Sequence, residues 1–258
     1  MIARSLILDI LGLFSKPAPY VQILNGHMVS RFHDNIEDGK IFEKQLEDLH
    51  KYCDFVNFET AVELIKKGIK VKKSTVAFSF DDGWRDCYTQ IAPQLDKYGV
   101  NAAFFINPNF IDAGERSDKE YLRNFTLNVT NSPGKSPLSW EQIGDLSRRG
   151  YIIGAHTLDH FCINDDNTTE LEHQICDCKD VIEKQTGKSC DYFAFPYGKL
   201  SHANQNSIDI ACRTYSYVFS QSDHKHYFSY DGRVINRRHF EPFWPVKHVF
   251  YFLRCKRV

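Results

Sequence analysis

The chain has 258 residues, 42% of them hydrophobic and 25% charged, a balance that excludes a disordered or fibrous chain and leaves room for a large core. Its 32 Lys and Arg against 33 Asp and Glu leave a formal net charge of -1, so no bulk field gathers nucleic acid or a strongly acidic polymer. Eight cysteines follow no repeated spacing, which argues against a disulfide framework or a zinc ribbon and for reduced, buried thiols.

Residues 1–14 are apolar, but Asp9 interrupts them, no small-residue cleavage site follows, and the run is too short to span a bilayer. They read as a helix packed on the body of the protein, with a peripheral membrane contact as the alternative. The lack of an export signal, taken with the thiols, gives a cytoplasmic expectation, membrane association staying open.

Residues 20–24 have strand character and end at Asn25-Gly26, with His27 just beyond. Apolar residues at helical spacing predict helices over 42–52 and 59–67, the second stopped by Gly68. The run 74–80 is a continuous β-prone stretch, typical of a strand covered on both faces. A helix over 87–98, closed by Gly99, and a buried strand over 102–106 come next, and strand, helix, strand at this spacing predicts parallel βα units. From 111 to 137 the chain reads as irregular and polar, punctuated by Asn131-Ser132-Pro133-Gly134, and is expected to form a rim or lid. Ser139 caps a helix over 140–149 that Gly150 ends. A strand over 151–155 then leads into His156, a helix covers 170–186, and strands cover 192–195 and 217–219. With no internal repeat, the chain reads as a single α/β domain over 1–258.

Two adjacent carboxylates, Asp81 and Asp82, directly after the buried strand are hard to explain by packing, because neither can stay in the core unpaired. Neighbours in a strand point to opposite faces, so both serve one site only where the strand breaks, and Gly83 supplies that freedom. The plainer reading is an Asp cap and a surface turn. His156 and His160, again after an apolar strand, are spaced to place two imidazoles about one ion. Two His and one carboxylate form a common catalytic zinc set that leaves a position open for water. Asp159, between the histidines, reads as their supporting partner or as a cap.

These motifs resemble the polysaccharide deacetylases of carbohydrate esterase family 4, with the NodB-like homology domain. Ser79-Phe80-Asp81-Asp82-Gly83 is similar to the first family motif, His156-Thr157-Leu158-Asp159-His160 to the second, and Tyr192-Phe193-Ala194-Phe195-Pro196-Tyr197-Gly198 to the third. The resemblance covers about residues 74–220 and implies a single distorted (β/α) barrel with about seven parallel strands. It implies a metal-dependent hydrolase that removes an N-acetyl group from an amino sugar. The alternatives are a deformylase or amidase on another substrate, or an inactive sugar-binding homologue. By the same resemblance Asp81 is the catalytic base, while Asp82, His156 and His160 hold one divalent ion, zinc first, with Co2+, Fe2+, Ni2+ or Mn2+ as alternatives. Pro196 and Tyr197 wall the groove, and the Tyr197 amide faces the oxyanion.

Two departures stand out. Ala194 occupies the place of an Arg that orients the base in many members, so Arg237 and Arg238, placed with the substrate-binding residues, become its candidate substitutes. The last family motif, which carries the catalytic acid, has no clean copy, which leaves His239, or else His27, as the acid. Trp84 is the expected sugar platform, ahead of Trp140. The expected partner is an N-acetylated amino sugar, lipid- or nucleotide-linked in the cytoplasmic reading, and no nucleic acid.

Overall fold

The computed structural model describes residues 2–32, 36–221 and 225–258. The first half of the chain runs α1 (Ile2–Leu13), β1 (Val21–Gly26), α2 (Gly39–His50), β2 (Cys53–Phe55), α3 (Phe58–Lys66), β3 (Ser74–Phe80), α4 (Ala92–Asp96), β4 (Ala102–Ile106), α5 (Pro108–Glu115) and α6 (Lys119–Asn128). The second half runs α7 (Trp140–Arg148), β5 (Ile152–Ala155), α8 (Thr168–Glu172), α9 (Cys178–Thr186), β6 (Tyr192–Ala194), α10 (Gln205–Thr214), β7 (Tyr217–Ser220), β8 (Phe228–Ser229), β9 (Val234–Asn236), β10 (Arg238–His239) and α11 (Val246–Leu253).

β1 pairs in parallel with β3, and β4, β5, β6, β7 and β9 come after it, each parallel to the one before. β10 returns to the free edge of β1, also in parallel. Only Arg237 separates β9 from β10, so the 234–239 segment pairs with β7 through its first half and with β1 through its second. The two ends of the parallel run therefore meet on one segment, which makes the sheet a distorted (β/α) barrel. β2 pairs with residues 74–76 of β3, below the stretch that β4 takes.

Strand alternation divides the apolar residues into two layers. Val21 and Ile23, Ala77, Ala103 and Phe105, Ala194, Phe219 and Ile235 form one buried cluster, into which α3 feeds Phe58, Ala61, Val62 and Ile65. Their neighbours in sequence, among them Leu24, Phe78, Phe80, Phe104, Phe193, Val218 and Phe240, pack outward against the helices. Each fully buried side chain of this size contributes about 1.5–3 kcal/mol relative to exposure. The first set fills the barrel interior and stops short of the C-terminal strand ends, where polar residues begin.

The stretch from 111 to 137 corrects the expectation of an irregular loop. α5 and α6 occupy most of it, with Asp118 capping α6 through the Tyr121 N–H at 3.1 Å. Phe110 and Phe125 stack at 3.9 Å beside Trp84, so a mostly polar segment is held by one aromatic cluster. Lys135, fully buried, pairs with Asp86 and ties the connection after α6 to the segment after β3. The helix predicted over 87–98 begins as a π turn at Cys87–Ile91 before α4. Ser139 and Gln142 form a reciprocal capping box at the start of α7.

α1 packs on α11. Asp9 meets Lys247 at 2.9 Å and His248 at 2.8 Å, and Gly12 lies so close to the Lys247 carbonyl that a Cβ would sit 2.3 Å from its oxygen. Among the described residues no helix is long and apolar enough to cross a membrane. All eight cysteines are free thiols.

Candidate active site

Toward the C-terminal ends of the strands the inward rows turn polar. Val21 and Ile23 give way to Asn25, Ala77 to Ser79 and Asp81, and Ile235 to Arg237 and His239. Arg237, fully buried, donates from Nη1 to Asp81 Oδ1 and from Nη2 to Asp81 Oδ2, both at 2.8 Å, and also reaches Asn25 Oδ1 at 2.6 Å. Asn25 Nδ2 donates a third bond to Asp81 at 2.9 Å. Burial by itself would raise the Asp81 pKa, but the Arg237 guanidinium and His156 outweigh it and hold the carboxyl below its ordinary 3.8. Asp81 is therefore a fixed carboxylate at neutral pH.

Asp82 starts the turn that ends the strand. Its φ of +76° and that of Gly83, +80°, are left-handed, which brings its side chain to the same mouth as Asp81. Asp82 Oδ2 accepts from the Trp84 indole at 2.9 Å, while Oδ1 is buried without a hydrogen-bond partner. His156 and His160 each place Nε2 3.4 Å from that same Oδ1. His156 donates from Nδ1 to the Ala194 carbonyl at 2.6 Å, which leaves its Nε2 lone pair facing Asp82. Burial holds the His160 imidazole neutral down to about 4.

Asp82, Thr157, His160 and Tyr197 all adopt left-handed backbone, and such strain costs about 1–3 kcal/mol per residue. Local bonds hold it in place: Asn107 Nδ2 binds the carbonyls of His156 and Thr157, and Thr157 Oγ1 accepts from the Phe161 N–H at 2.8 Å. Asp159 faces away from the ligand cluster and accepts from Asn109, Tyr121 and Gln174, so it braces the histidine loop.

An orphaned carboxylate oxygen facing two imidazole nitrogens is a donor set that fits a divalent cation of the zinc type. The cavity at this cluster, about 180 Å³, is also lined by His27, Val129, Thr130, Tyr197 and Gln221. A larger groove of about 630 Å³ lies between α1 and α11, and neither carboxylate nor histidine lines it.

The family model for polysaccharide deacetylases matches residues 68–217. The chain belongs to the polysaccharide deacetylase family. Bacillus subtilis (strain 168) YxkH, a protein named for polysaccharide deacetylation, is 24% identical over 202 residues, covering 77% of this chain and 63% of that protein. The chain thus spans less than two thirds of the length of that relative. In fold it is similar to the Streptococcus pyogenes deacetylase PplD, solved in complex with acetate, with a TM-score of 0.69 at 18% identity over 92% of this chain and 99% of that one. IcaB from Ammonifex degensii superposes with a TM-score of 0.68 at 19% identity, covering 93% and 99% of the two chains.

Ala194 offers its carbonyl to His156, and the guanidinium beside Asp81 comes from Arg237, across the barrel. Arg237 is thus buried on the carboxylate and is not a substrate contact. Arg238, next in sequence, points outward by strand alternation, lying over the Phe252 ring at 5.2 Å and near Cys255, so it does not reach the site. Trp84 corrects the expectation of a sugar platform: it is fully buried edge-on against the Phe110–Phe125 stack with its indole on Asp82, and no face is open. Pro196 is also buried. Tyr197, 48% exposed, presents its ring beside His160 at 4.6 Å. Trp140 donates its indole N–H to Asp112 at the start of α7, outside the cavity lining.

His27 and His239 lie on adjoining strand ends with ring centroids 5.7 Å apart. Glu241, to which no sequence motif points, accepts from the His27 backbone N–H at 3.2 Å and meets His27 Nδ1 at 2.8 Å. Burial works against a charged His27, yet the Glu241 carboxylate, with Asp82 and Asp81 adding, raises its pKa from 6.5 to about 10. His239 moves the other way, to about 4, because burial outweighs Glu241. A proton shared by this cluster therefore rests on His27. The signal that could have found Glu241 is period two: Arg237, His239 and Glu241 occupy alternate positions of one extended segment.

Proposed function

We propose that the chain is a metal-dependent hydrolase that removes the N-acetyl group from an amino sugar of a glycan or glycan precursor. The observation that carries this reading is the Asp82 Oδ1 left without a partner between two imidazole nitrogens, with the Asp81–Arg237 pair and a protonated His27 on the same cavity. Asp82, His156 and His160 would hold the ion. When bound, it supplies Lewis-acid chemistry, lowering the pKa of water from about 16 toward about 7 and polarising the acyl carbonyl.

The protein's own groups then divide the work. Asp81, kept ionised and oriented by Arg237 and Asn25, accepts the proton of the attacking water. The Tyr197 N–H, which meets no acceptor among the described residues, donates to the carbonyl oxygen as it gains charge. His27, held by Glu241, gives its proton to the amine as the C–N bond breaks, so water and amide become acetate and free amine. His239 stands beside it with Nδ1 engaged by Gln221 at 2.9 Å. The exposed Tyr197 ring and the Val129–Thr130 wall offer the sugar its contacts.

The test is acetate release by the zinc-loaded protein from nucleotide-linked, lipid-linked and oligomeric N-acetyl amino sugars. Asp81→Asn should lower the rate by about 10²–10⁴ with metal content unchanged, the usual worth of a general base. Near-normal turnover by that variant removes Asp81 from the role, and no acetate from any of the three classes overturns the reading.

A further inference from the structure

The described residues hold a second set of three donors outside Asp82, His156 and His160: His27, His239 and Glu241, whose ligand-type atoms all lie within 4.8 Å of one another. His27 Nδ1 is 2.8 Å and His239 Nε2 is 3.8 Å from the same oxygen, Glu241 Oε1. Ligands about 2.0–2.1 Å from a tetrahedral zinc stand roughly 3.3 Å apart, so one distance must open and the other close by about half an ångström. The Asp82 set, at 3.4 Å and 3.4 Å, has the same spacing.

The surroundings suit an ion. Glu241 is almost fully buried, while His239 is 38% exposed and faces a cavity of about 340 Å³ that gives access from solvent. Gln221 Nε2 donates to His239 Nδ1 at 2.9 Å, which puts the His239 hydrogen on the Nε2 turned to Glu241; a turn of the Gln221 amide that offers its oxygen to Nδ1 instead frees Nε2 as a ligand. Arg31, which also lines that cavity, lies with its guanidinium over the Phe243 ring at 5.7 Å. The segment carrying two of the ligands is itself fixed: β10 pairs with β1, and Gln45 donates to the carbonyls of Glu241 and Trp244.

We infer that His27, His239 and Glu241 form a second, regulatory divalent-cation site of the zinc type, distinct from the Asp82 site and sharing its cavity wall through His27. Binding replaces the Nδ1 proton of His27, which leaves to solvent, moves the His239 proton from Nε2 to Nδ1, where the turned Gln221 amide oxygen accepts it, and turns Glu241 from hydrogen-bond acceptor to ligand. The consequence for turnover rests on the reading of His27 as the acid: with zinc on Nδ1, the imidazolium is gone and excess zinc slows the reaction.

Calorimetric titration of the full chain with zinc tests the site without reference to activity. Wild type should bind two ions, Asp82→Asn should keep only the isotherm of the second site, and His239→Gln should keep only that of the first. The isotherm each variant retains shows that it is folded. Saturation of wild type at one ion, or two ions still bound by His239→Gln, overturns the inference. Excess zinc should also lower acetate release in wild type with the midpoint of the second isotherm and spare His239→Gln; equal inhibition of both overturns the regulatory role. Failure of the proposed function looks different, as two isotherms without acetate release.

Discussion

Asp81 and Asp82 are neighbours in sequence and have opposite surroundings. Asp81 receives bonds from a guanidinium and an amide, so its charge is neutralised inside the protein, whereas Asp82 keeps one oxygen without any donor. A bidentate Arg pair lowers basicity as it orients, which fits a base whose water is acidified by something else. His27 is tuned the other way, and this gives a test. For a group that must be protonated, activity persists below its pKa and is lost above it. The Glu241 carboxylate raises His27 from 6.5 to about 10, so the alkaline limb of kcat/KM should lie well above neutral. Glu241→Gln removes the charge and leaves the burial, so the limb should move to lower pH by more than about one unit, or about 1.4 kcal/mol, with rates near pH 6 largely kept. A limb that stays in place in the pH–rate profile would take Glu241 and His27 out of the proton transfer. The His27 interaction also stabilises the fold fully below pH 6.5 and is lost as pH rises through about 10.

Elements explain which parts could be read in advance. β3 and β4 are buried on both faces, so they appear in sequence as unbroken apolar runs, and the turns after them expose polar residues that no packing accounts for. The segment 234–239 gives no such signal, since β9 and β10 have three and two residues and carry Asn, Arg and His. It nonetheless joins β7 to β1 and supplies Arg237 and His239, which is why sequence leaves the group beside Asp81 undecided between two arginines. α5 and α6 are hidden for a related reason: they are polar outside and anchored by few aromatics. β5 allows a direct perturbation. A Cβ on Gly154 would stand 2.5 Å from Phe105 Cδ1 in the barrel interior and 3.0 Å from the Tyr192 carbonyl. Gly154→Ala should therefore destabilise by about 1–3 kcal/mol through overpacking, and displace His156 two residues on. Urea unfolding and zinc affinity should worsen together, and Phe105→Leu in the same chain should restore part of both. Unchanged zinc affinity in a destabilised Gly154→Ala protein would show that the strand end does not set the ligand.

For the molecule as a whole, the strand ends concentrate cost. Left-handed backbone at Asp82, Thr157, His160 and Tyr197, a buried carboxylate oxygen without a donor and an imidazole kept neutral by burial are all features that oppose folding unless something binds there. The apolar barrel below and the helical layer around it must carry that load, and an ion bound only by the folded state would relieve it. At a free concentration of about 100 Kd such an ion adds about 2.7 kcal/mol. In a protein of this size each kcal/mol moves Tm by roughly 2–4 °C, so chelation at neutral pH should lower Tm by roughly 5–10 °C. Acid adds a second effect with a definite sign. His160 titrates near 6.5 unfolded and about 4 folded, so between those values the unfolded chain takes up a proton that the folded one refuses. The metal-free protein should then lose stability as pH falls from 6.5 through 4, and His160→Gln should abolish that part of the slope. Thermal melts with and without chelator across pH 4–8 measure both at once; a Tm indifferent to chelator throughout would mean that the strained strand ends are stable without any ion.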